Sequence, residues 1–441
     1  MPFEKFHYPT LKDLRAVMER IGAAFPLSDH TEILRTPLFL HSRKIPNRLA
    51  IQPMEGCDGD FSGAPGELTL RRYRRFAEGG AGLLWMEATA VTPEGRANPR
   101  QLLLNETTQE AFRALIAQTK AAGAKANGYE PLVIVQLTHS GRYAKPAGRP
   151  EPLIAYHHPL LENDRPIDSS RIVSDEYLKN LEETYIRAAR LAEAAGADGV
   201  DIKCCHRYLL SELCSARTRP GPYGGSLENR TRLLRNIIAG VQACARPDFL
   251  VTCRLNIYDG LEQPYGFGGA ENSASPDLSE PKELIRALHH DLGLELLNIT
   301  VGNPYFNSYI NRPADRAAIT PPEHPLAGVD RIFRLTGEIA SAFPDLRIIS
   351  SGHSYLRQYA PLLAAGAVEN GISAMAGFGR EGFAYPDFAK DILRTGRMHP
   401  QKCCVACGKC TELMRMGRVS GCVVRDREVY LPIYRGEKEG A

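Results

Sequence analysis

No uninterrupted apolar run in this 441-residue chain approaches the roughly 20 residues that a membrane span requires. The N-terminus, MPFEKFHYPTLKDLRAVMERIG, lacks an apolar h-region and is charged throughout, which excludes a secretory signal. Long basic runs are missing too, and the formal net charge is only +3, so neither nucleic acid nor an anionic membrane surface is indicated as a partner. No G-x-G-x-x-G opens the first helix, which counts against an open dinucleotide-binding sheet. These absences predict a cytoplasmic, enzyme-sized globular protein acting on a small molecule. Thiols stay reduced in that compartment, so the 11 cysteines are expected to be buried, catalytic or metal-bound rather than disulfide-bonded. Five of them crowd between Cys403 and Cys422.

What is present is a recurring unit: a helical stretch ends in Gly and Ala, and a short apolar run follows and finishes in a polar residue. AEGGAGLLWMEATAV, AEAAGADGVDIKCC, HHDLGLELLNITVG and LLAAGAVENGISAMAG have this form, and RLAIQPM, PLVIVQLTHSG, DFLVTCRLN and LRIISSG fill the gaps. Amphipathic stretches such as SDEYLKNLEETYIRAARLAEAAG lie between them, with Ser174 placed as an N-cap. Continuous apolar strands alternating with helices imply a parallel sheet covered on both faces. About eight of them predict an α/β fold of the (β/α)₈ TIM-barrel type. The barrel is expected over residues 31–397, after a short helical arm (1–30) and before a Cys-rich segment (398–441) where the composition changes.

Barrels of this kind carry their chemistry at the C-terminal ends of the strands. The polar residues there are Gln52 and Glu55, Glu87, Gln136 with His139, Lys203 with His206, Arg254, Asn298 and Thr300, Ser351, and Arg380. The last two strands end in SSGHS and GFGRE. Gly352 and Gly379 let backbone N–H groups approach an anion and Arg380 adds a charged fork, so a phosphorylated cofactor is indicated, with tight turns as the plainer reading. In the tail, Cys404, Cys407 and Cys410 are spaced C-x₂-C-x₂-C, and Cys422 follows after eleven intervening residues. Clustered thiolates suit either a [4Fe–4S] cluster or a structural zinc.

With these residues assembled, the chain resembles the old yellow enzyme family of FMN-dependent ene-reductases, and within it the branch of 2,4-dienoyl-CoA reductases. The resemblance rests on NRLAIQPM, MEATAV, VQLTHSGR, the K-x-x-H-x-Y segment followed by YGGSLENRTR, the strand-end Arg254, and GFGRE. It implies that Pro53, Met54 and Ala88 line the isoalloxazine, that Gln136 hydrogen-bonds its pyrimidine edge, and that Arg254 sits near N1 and C2=O, stabilising the anionic reduced ring. It implies that Ser351, Gly352, Gly379 and Arg380 hold the phosphate. Lys203, His206 and Tyr208 take the positions of the family's carbonyl-binding pair and proton donor. The implied reaction is reduction of an activated C=C bond (enone, enoate or enoyl) by hydride from flavin N5 and a proton from Tyr208, with NADH or NADPH as electron donor. An oxidative or amine-demethylating enzyme and an electron-transfer flavoprotein subunit are the alternatives on the same scaffold.

The branch favours the iron–sulfur cluster over zinc, although its second cysteine spacing is usually one residue longer and Cys403 offers another first ligand. In that branch a further flavin domain feeds electrons through the cluster, so a separate electron-donor flavoprotein is a candidate partner here, and oligomers are compatible with the sequence. Three residues depart from the family pattern. Lys203 replaces a neutral side chain and also suits an anionic substrate group. Arg207 replaces the usual Gly and is expected to narrow the pocket. Glu55 stands where relatives have Cys or Thr.

Overall fold

The computed structural model describes residues 2–40, 43–163, 165–316 and 320–437. A short antiparallel pair, β1 (Leu38–Leu40) and β2 (Arg43–Ile45), precedes eight parallel strands. These are β3 (Leu49–Ile51), β4 (Leu83–Ala90), β5 (Leu132–Thr138), β6 (Gly199–Ile202), β7 (Leu250–Asn256), β8 (Leu296–Thr300), β9 (Arg347–Ser350) and β10 (Met375–Phe378). Each pairs with its neighbours in chain order, and β10 closes on β3 through Ala376–Phe378 against Leu49–Ile51. This is a closed (β/α)₈ barrel, and its eight strands are the eight apolar runs of the sequence.

The strands are apolar throughout because both of their faces are covered. Every residue of β4, β5 and β7 is buried, with helices outside and neighbouring side chains within. The helix Asp175–Ala194 shows how a cover is made: Ser174 caps it by accepting from the Tyr177 N–H, and Leu178, Leu181, Tyr185, Ala188 and Ala192 form its buried stripe. Among the described residues no helix is long and apolar enough to cross a membrane.

Both appendages are fastened to the barrel. The arm holds a helix, Leu11–Ile21, with a Thr10–Asp13 capping box. Ahead of it Phe6 packs edge-on to Tyr8 and Tyr355, under the Arg357 guanidinium 4.3 Å from its ring, while its N–H donates to Asp315 at 2.9 Å. In the tail, Met398, Cys403 and Ala406 belong to the main core, and Leu413, Val419, Val423, Tyr430 and Ile433 form a small core of their own. Arg71 and Arg75 of the helix Glu67–Glu78 both reach Asp426, at 2.7 and 2.6 Å. The Ser420 N–H donates to the Gly56 carbonyl at 2.6 Å. These ties lay the tail across the C-terminal mouth of the barrel, which positions it to wall the site.

Candidate active site

Because parallel strands all end on one side, their last residues converge. Gln52, Pro53, Met54 and Glu55 after β3, Ala88 in β4, Gln136 in β5, Lys203 after β6, Arg254 in β7, Thr300 in β8, Ser351 and Gly352 after β9, and Gly379 and Arg380 after β10 line one cavity. The structure thus brings all twelve sequence-predicted flavin and substrate residues into that space. The tail completes the wall with Cys410, Thr411, Met414, Arg415 and Ser420.

The cavity is cationic. Among the described residues Lys203, Arg254, Arg312, Arg380 and Arg415 face it, against Glu55 as the single carboxylate, and none of the five makes an ion pair. Arg254 is the sharpest case. It is 7 % exposed, its Nε has no hydrogen-bond partner, and burial pulls its guanidinium below the usual range. A buried charge left so costs several kcal/mol, of order, unless something pairs with it. The sequence calls for an anionic partner. The nearby Asp201 carboxylate is already engaged by Gln136 Nε2 (2.6 Å), Trp85 Nε1 (2.7 Å) and the Arg254 backbone N–H (2.5 Å). The remaining place for an anion is the cavity, so the residues present fit a bound group that carries or develops negative charge. Gln136 is held by Asp201, which fixes its amide at the cavity wall.

At the far end the wall is built for close approach. Gly352 has φ +100°, a region L side chains rarely adopt, and a Cβ on Gly379 would lie 3.1 Å from Met54 Sδ. Gln52 and Asn298 pair their amides reciprocally (3.1 and 2.7 Å), and Gln52 also donates to Ser351 Oγ at 3.1 Å. That network pins Ser351, which lines the cavity together with Arg380. A phosphate fits this glycine-lined, cationic corner.

The stretch after β6 owes its shape to two consecutive residues in the left-handed region, His206 (φ +64°) and Arg207 (φ +59°). The turn sends alternate side chains opposite ways. Lys203, His206 and Tyr208 face the cavity, whereas Arg207 turns behind it. There Arg207 is fully buried, paired with Asp259 at 2.9 Å, with Tyr156 Oη at 3.2 Å and with Ser215 Oγ. The expectation that Arg207 narrows the pocket is therefore corrected: it does not line the cavity, because a buried carboxylate behind the turn outcompetes the cavity for its charge.

Among the described residues Lys203 has no carboxylate within ion-pair distance. Its Nζ stands 3.8 Å above the Tyr208 ring centroid, a cation–π contact, and burial lowers its pKa, with Glu55 pulling the other way. His206 is half-buried with an enclosed, unpartnered Nε2, and desolvation plus the charges of Arg254 and Lys203 hold it well below the usual imidazole range. It is a neutral imidazole at neutral pH, free to hydrogen-bond a ligand. Burial pushes the Tyr208 phenol well up, so it stays protonated. Glu55 accepts from Asn98 Nδ2 at 2.7 Å, and burial raises its carboxyl while Lys203 opposes the rise.

Sequence reasoning did not single out Tyr305 and Arg312, which come from the long segment after β8. The Tyr305 hydroxyl lies 3.0 Å from that of Tyr208, and its ring stacks on Tyr143 with centroids 3.8 Å apart. Arg312 donates to Thr411 Oγ1 at 3.1 Å, tying this segment to the tail. The available signal was position: NPYFNSYINR follows a strand on the catalytic face.

Of the four sequence-predicted cysteine ligands, Cys410 lines the cavity and Cys404, Cys407 and Cys422 lie around it in the tail. Burial pushes the Cys404, Cys410 and Cys422 thiols up, Cys422 to about 11, and Arg380 draws Cys404 and Cys410 back. Backbone N–H groups of Ala406 and Arg425 donate to the sulfurs of Cys404 (3.4 Å) and Cys422 (3.3 Å). Cys403, the other candidate first ligand, is fully buried in the main core with its thiol on the His399 carbonyl at 3.3 Å. Among the described residues, no three His, Cys, Asp or Glu side chains are drawn up in a metal-holding arrangement. The tail gathers cysteine sulfurs beside Arg380, Arg312 and backbone N–H donors.

A family model for the NADH:flavin oxidoreductase / NADH oxidase family matches residues 34–287. The NADPH dehydrogenase of Bacillus licheniformis is 34% identical over 216 residues, 47% of this chain and 59% of that protein. The 4,4'-dithiodibutanoate disulfide reductase of Rhodococcus erythropolis is 25% identical over 386 residues, 82% of this chain and 88% of that one. Among solved structures, a 2-naphthoyl-CoA reductase superposes with a TM-score of 0.74 at 22% identity, covering 90% of this chain and 57% of its own. The match to the NADPH dehydrogenase spans under two thirds of that relative's length.

Proposed function

Because the chain belongs to the NADH:flavin oxidoreductase / NADH oxidase family, we propose that it binds FMN across the barrel mouth and uses NADH or NADPH to reduce an activated C=C bond. One observation carries this reading: a buried, unpaired Arg254 shares a cavity with Lys203, a neutral His206 and a protonated Tyr208. Pro53, Met54, Ala88 and Gln136 would line the ring, Arg254 would meet its pyrimidine edge, and Ser351, Gly352, Gly379 and Arg380 would hold the phosphate. When bound, the flavin supplies two-electron hydride chemistry.

The chain's own residues do the rest. His206 Nε2 and the Lys203 ammonium bind and polarise the substrate carbonyl oxygen, stabilising the negative charge that develops there. Tyr208, protonated and enclosed, gives its hydroxyl proton to the α-carbon. Lys203, set over the Tyr208 ring, fixes the phenol's orientation as well. The tail, lying across the mouth, keeps bulk water from this space.

Arg254→Met is expected to weaken FMN binding about 10–100-fold, the worth of a charge-assisted hydrogen bond, while leaving the folded barrel intact. Fluorescence titration of the apoprotein with FMN reads this, and an unchanged affinity would remove Arg254 from the flavin site. Aerobic turnover with NADH or NADPH against enones, enoates, tertiary amines and a disulfide tests the reaction. Oxidation of the amine with no enone or enoate reduction would favour the oxidative reading, and no turnover without an added flavoprotein would favour the electron-transfer one.

For the tail we favour a [4Fe–4S] cluster on Cys404, Cys407, Cys410 and Cys422 over zinc. The support is the all-cysteine donor set, the neighbouring Arg380 and Arg312, and the removal of Cys403 into the core. Anaerobically isolated protein is expected to contain about four iron and four acid-labile sulfide per chain. Stoichiometric zinc without sulfide would replace the assignment.

A further inference from the structure

We propose that Tyr305 is the proton relay that recharges Tyr208 from solvent after each turnover. The inference rests on the reading of Tyr208 as the acid, and goes beyond it by naming how that acid regains its proton. Tyr208 has 2% of its surface in solvent, whereas Tyr305 has 42%. Among the described residues, the one hydrogen-bond partner of the Tyr208 hydroxyl is that of Tyr305, at 3.0 Å. Lys203 does not serve: its Nζ lies over the ring face, 3.8 Å from the centroid. Glu55 lines the same cavity with its Oε1 turned to Asn98.

A buried phenol that has given up its proton leaves a phenolate in a low-dielectric wall, which is costly until it is neutralised. With substrate or product filling the cavity, the path to water runs through the neighbouring hydroxyl. Burial pushes the Tyr208 phenol up, and desolvation where the two hydroxyls meet raises that of Tyr305 although the rest of its side chain reaches solvent, so each stands protonated at neutral pH and each can donate. The Tyr208 O–H bond breaks as the α-carbon gains its C–H bond. The Tyr208 oxygen takes the proton from Tyr305, and Tyr305 takes one from water. One solvent proton is consumed per substrate reduced, and the relay itself moves no electrons.

The geometry that holds the relay is independent of the substrate. Tyr305 stacks on Tyr143 at 3.8 Å between centroids and 16° between planes. Its N–H donates to Asn303 Oδ1 (3.0 Å), and Asn303 Nδ2 donates to Tyr143 Oη (3.1 Å). The stack needs the ring of Tyr305, and the relay needs its hydroxyl, so Tyr305→Phe separates the two.

The experiment mixes reduced holoenzyme with 2-cyclohexenone in weakly buffered solution containing a pH indicator. It follows flavin reoxidation and solvent proton uptake in the same single turnover. In the unaltered protein the two traces are expected to coincide. In Tyr305→Phe reoxidation should hold its rate, because Tyr208 starts protonated, while uptake lags about ten-fold or more. Tyr305→His, which restores a group able to pass a proton, should bring the traces together again. Uptake that keeps pace with reoxidation in Tyr305→Phe overturns the relay alone. Unslowed reoxidation in Tyr208→Phe overturns the acid assignment and the relay together.

Discussion

Tyr208→Phe is expected to keep bound flavin and its reduction by NAD(P)H, and to slow the reoxidation of reduced enzyme by an enone about 10²–10⁴-fold, the usual worth of a positioned general acid. The reasoning is positional. Tyr208 lines the cavity together with Lys203 and His206, and burial keeps it protonated far above neutral pH. Its hydroxyl is therefore a donor in waiting and contributes nothing to holding the ring. Phe preserves the ring beneath the Lys203 ammonium, so packing and the cation–π contact persist. The half-reactions, measured separately by stopped flow, divide accordingly: flavin reduction unchanged, reoxidation slow. A loss shared equally between them would point to misfolding of the turn, and no loss would remove Tyr208 from the acid's role.

Arg207→Ala should have the largest effect on stability, about 3–5 kcal/mol, because it leaves a buried carboxylate without its counter-ion. Arg207 and Asp259 are both fully buried and 2.9 Å apart. Asp259 also accepts from Asn256 Nδ2 (2.7 Å) and the Phe267 N–H (2.9 Å), and those bonds cannot replace a full charge. Burial raises the Asp259 carboxyl and Arg207 is the largest force pulling it back. Without Arg207 its folded pKa climbs further above the unfolded value of about 3.9, so the folded state binds more protons than the unfolded one. Stability is then retained below the unfolded pKa and lost as pH rises through the folded one. The deficit of the variant should widen from acidic toward neutral pH, read as the fall in thermal midpoint across a pH series. A deficit that does not vary with pH would mean that lost packing, and not the stranded charge, dominates. Activity should fall as well, because this pair anchors the turn that aims His206 and Tyr208.

The strands were legible from the chain alone, since a parallel strand buried on both faces has to be a continuous apolar run, and eight such runs set between helices have few ways to close. RLAIQPM, PLVIVQLTHSG and DFLVTCRLN became β3, β5 and β7 for that reason. The convergence of Gln136, Lys203, Arg254 and Arg380 followed with no further information, because a barrel puts all strand ends on one side. The direction of Arg207 was not legible. It depends on two non-glycine residues in the left-handed region and on Asp259, 52 positions away, and residue type specifies neither. Tyr305 met Tyr208 across 97 positions for the same reason. Cys403 and Cys404 are adjacent and chemically identical, and only the surrounding core, closing on one thiol and leaving the other beside Arg380, told them apart. The sequence by itself determined the barrel and the inventory of groups at its mouth, because periodicity and strand direction are local properties. Tertiary structure decided which of those groups face the cavity, since that is settled by buried charges and packing between residues far apart in the chain.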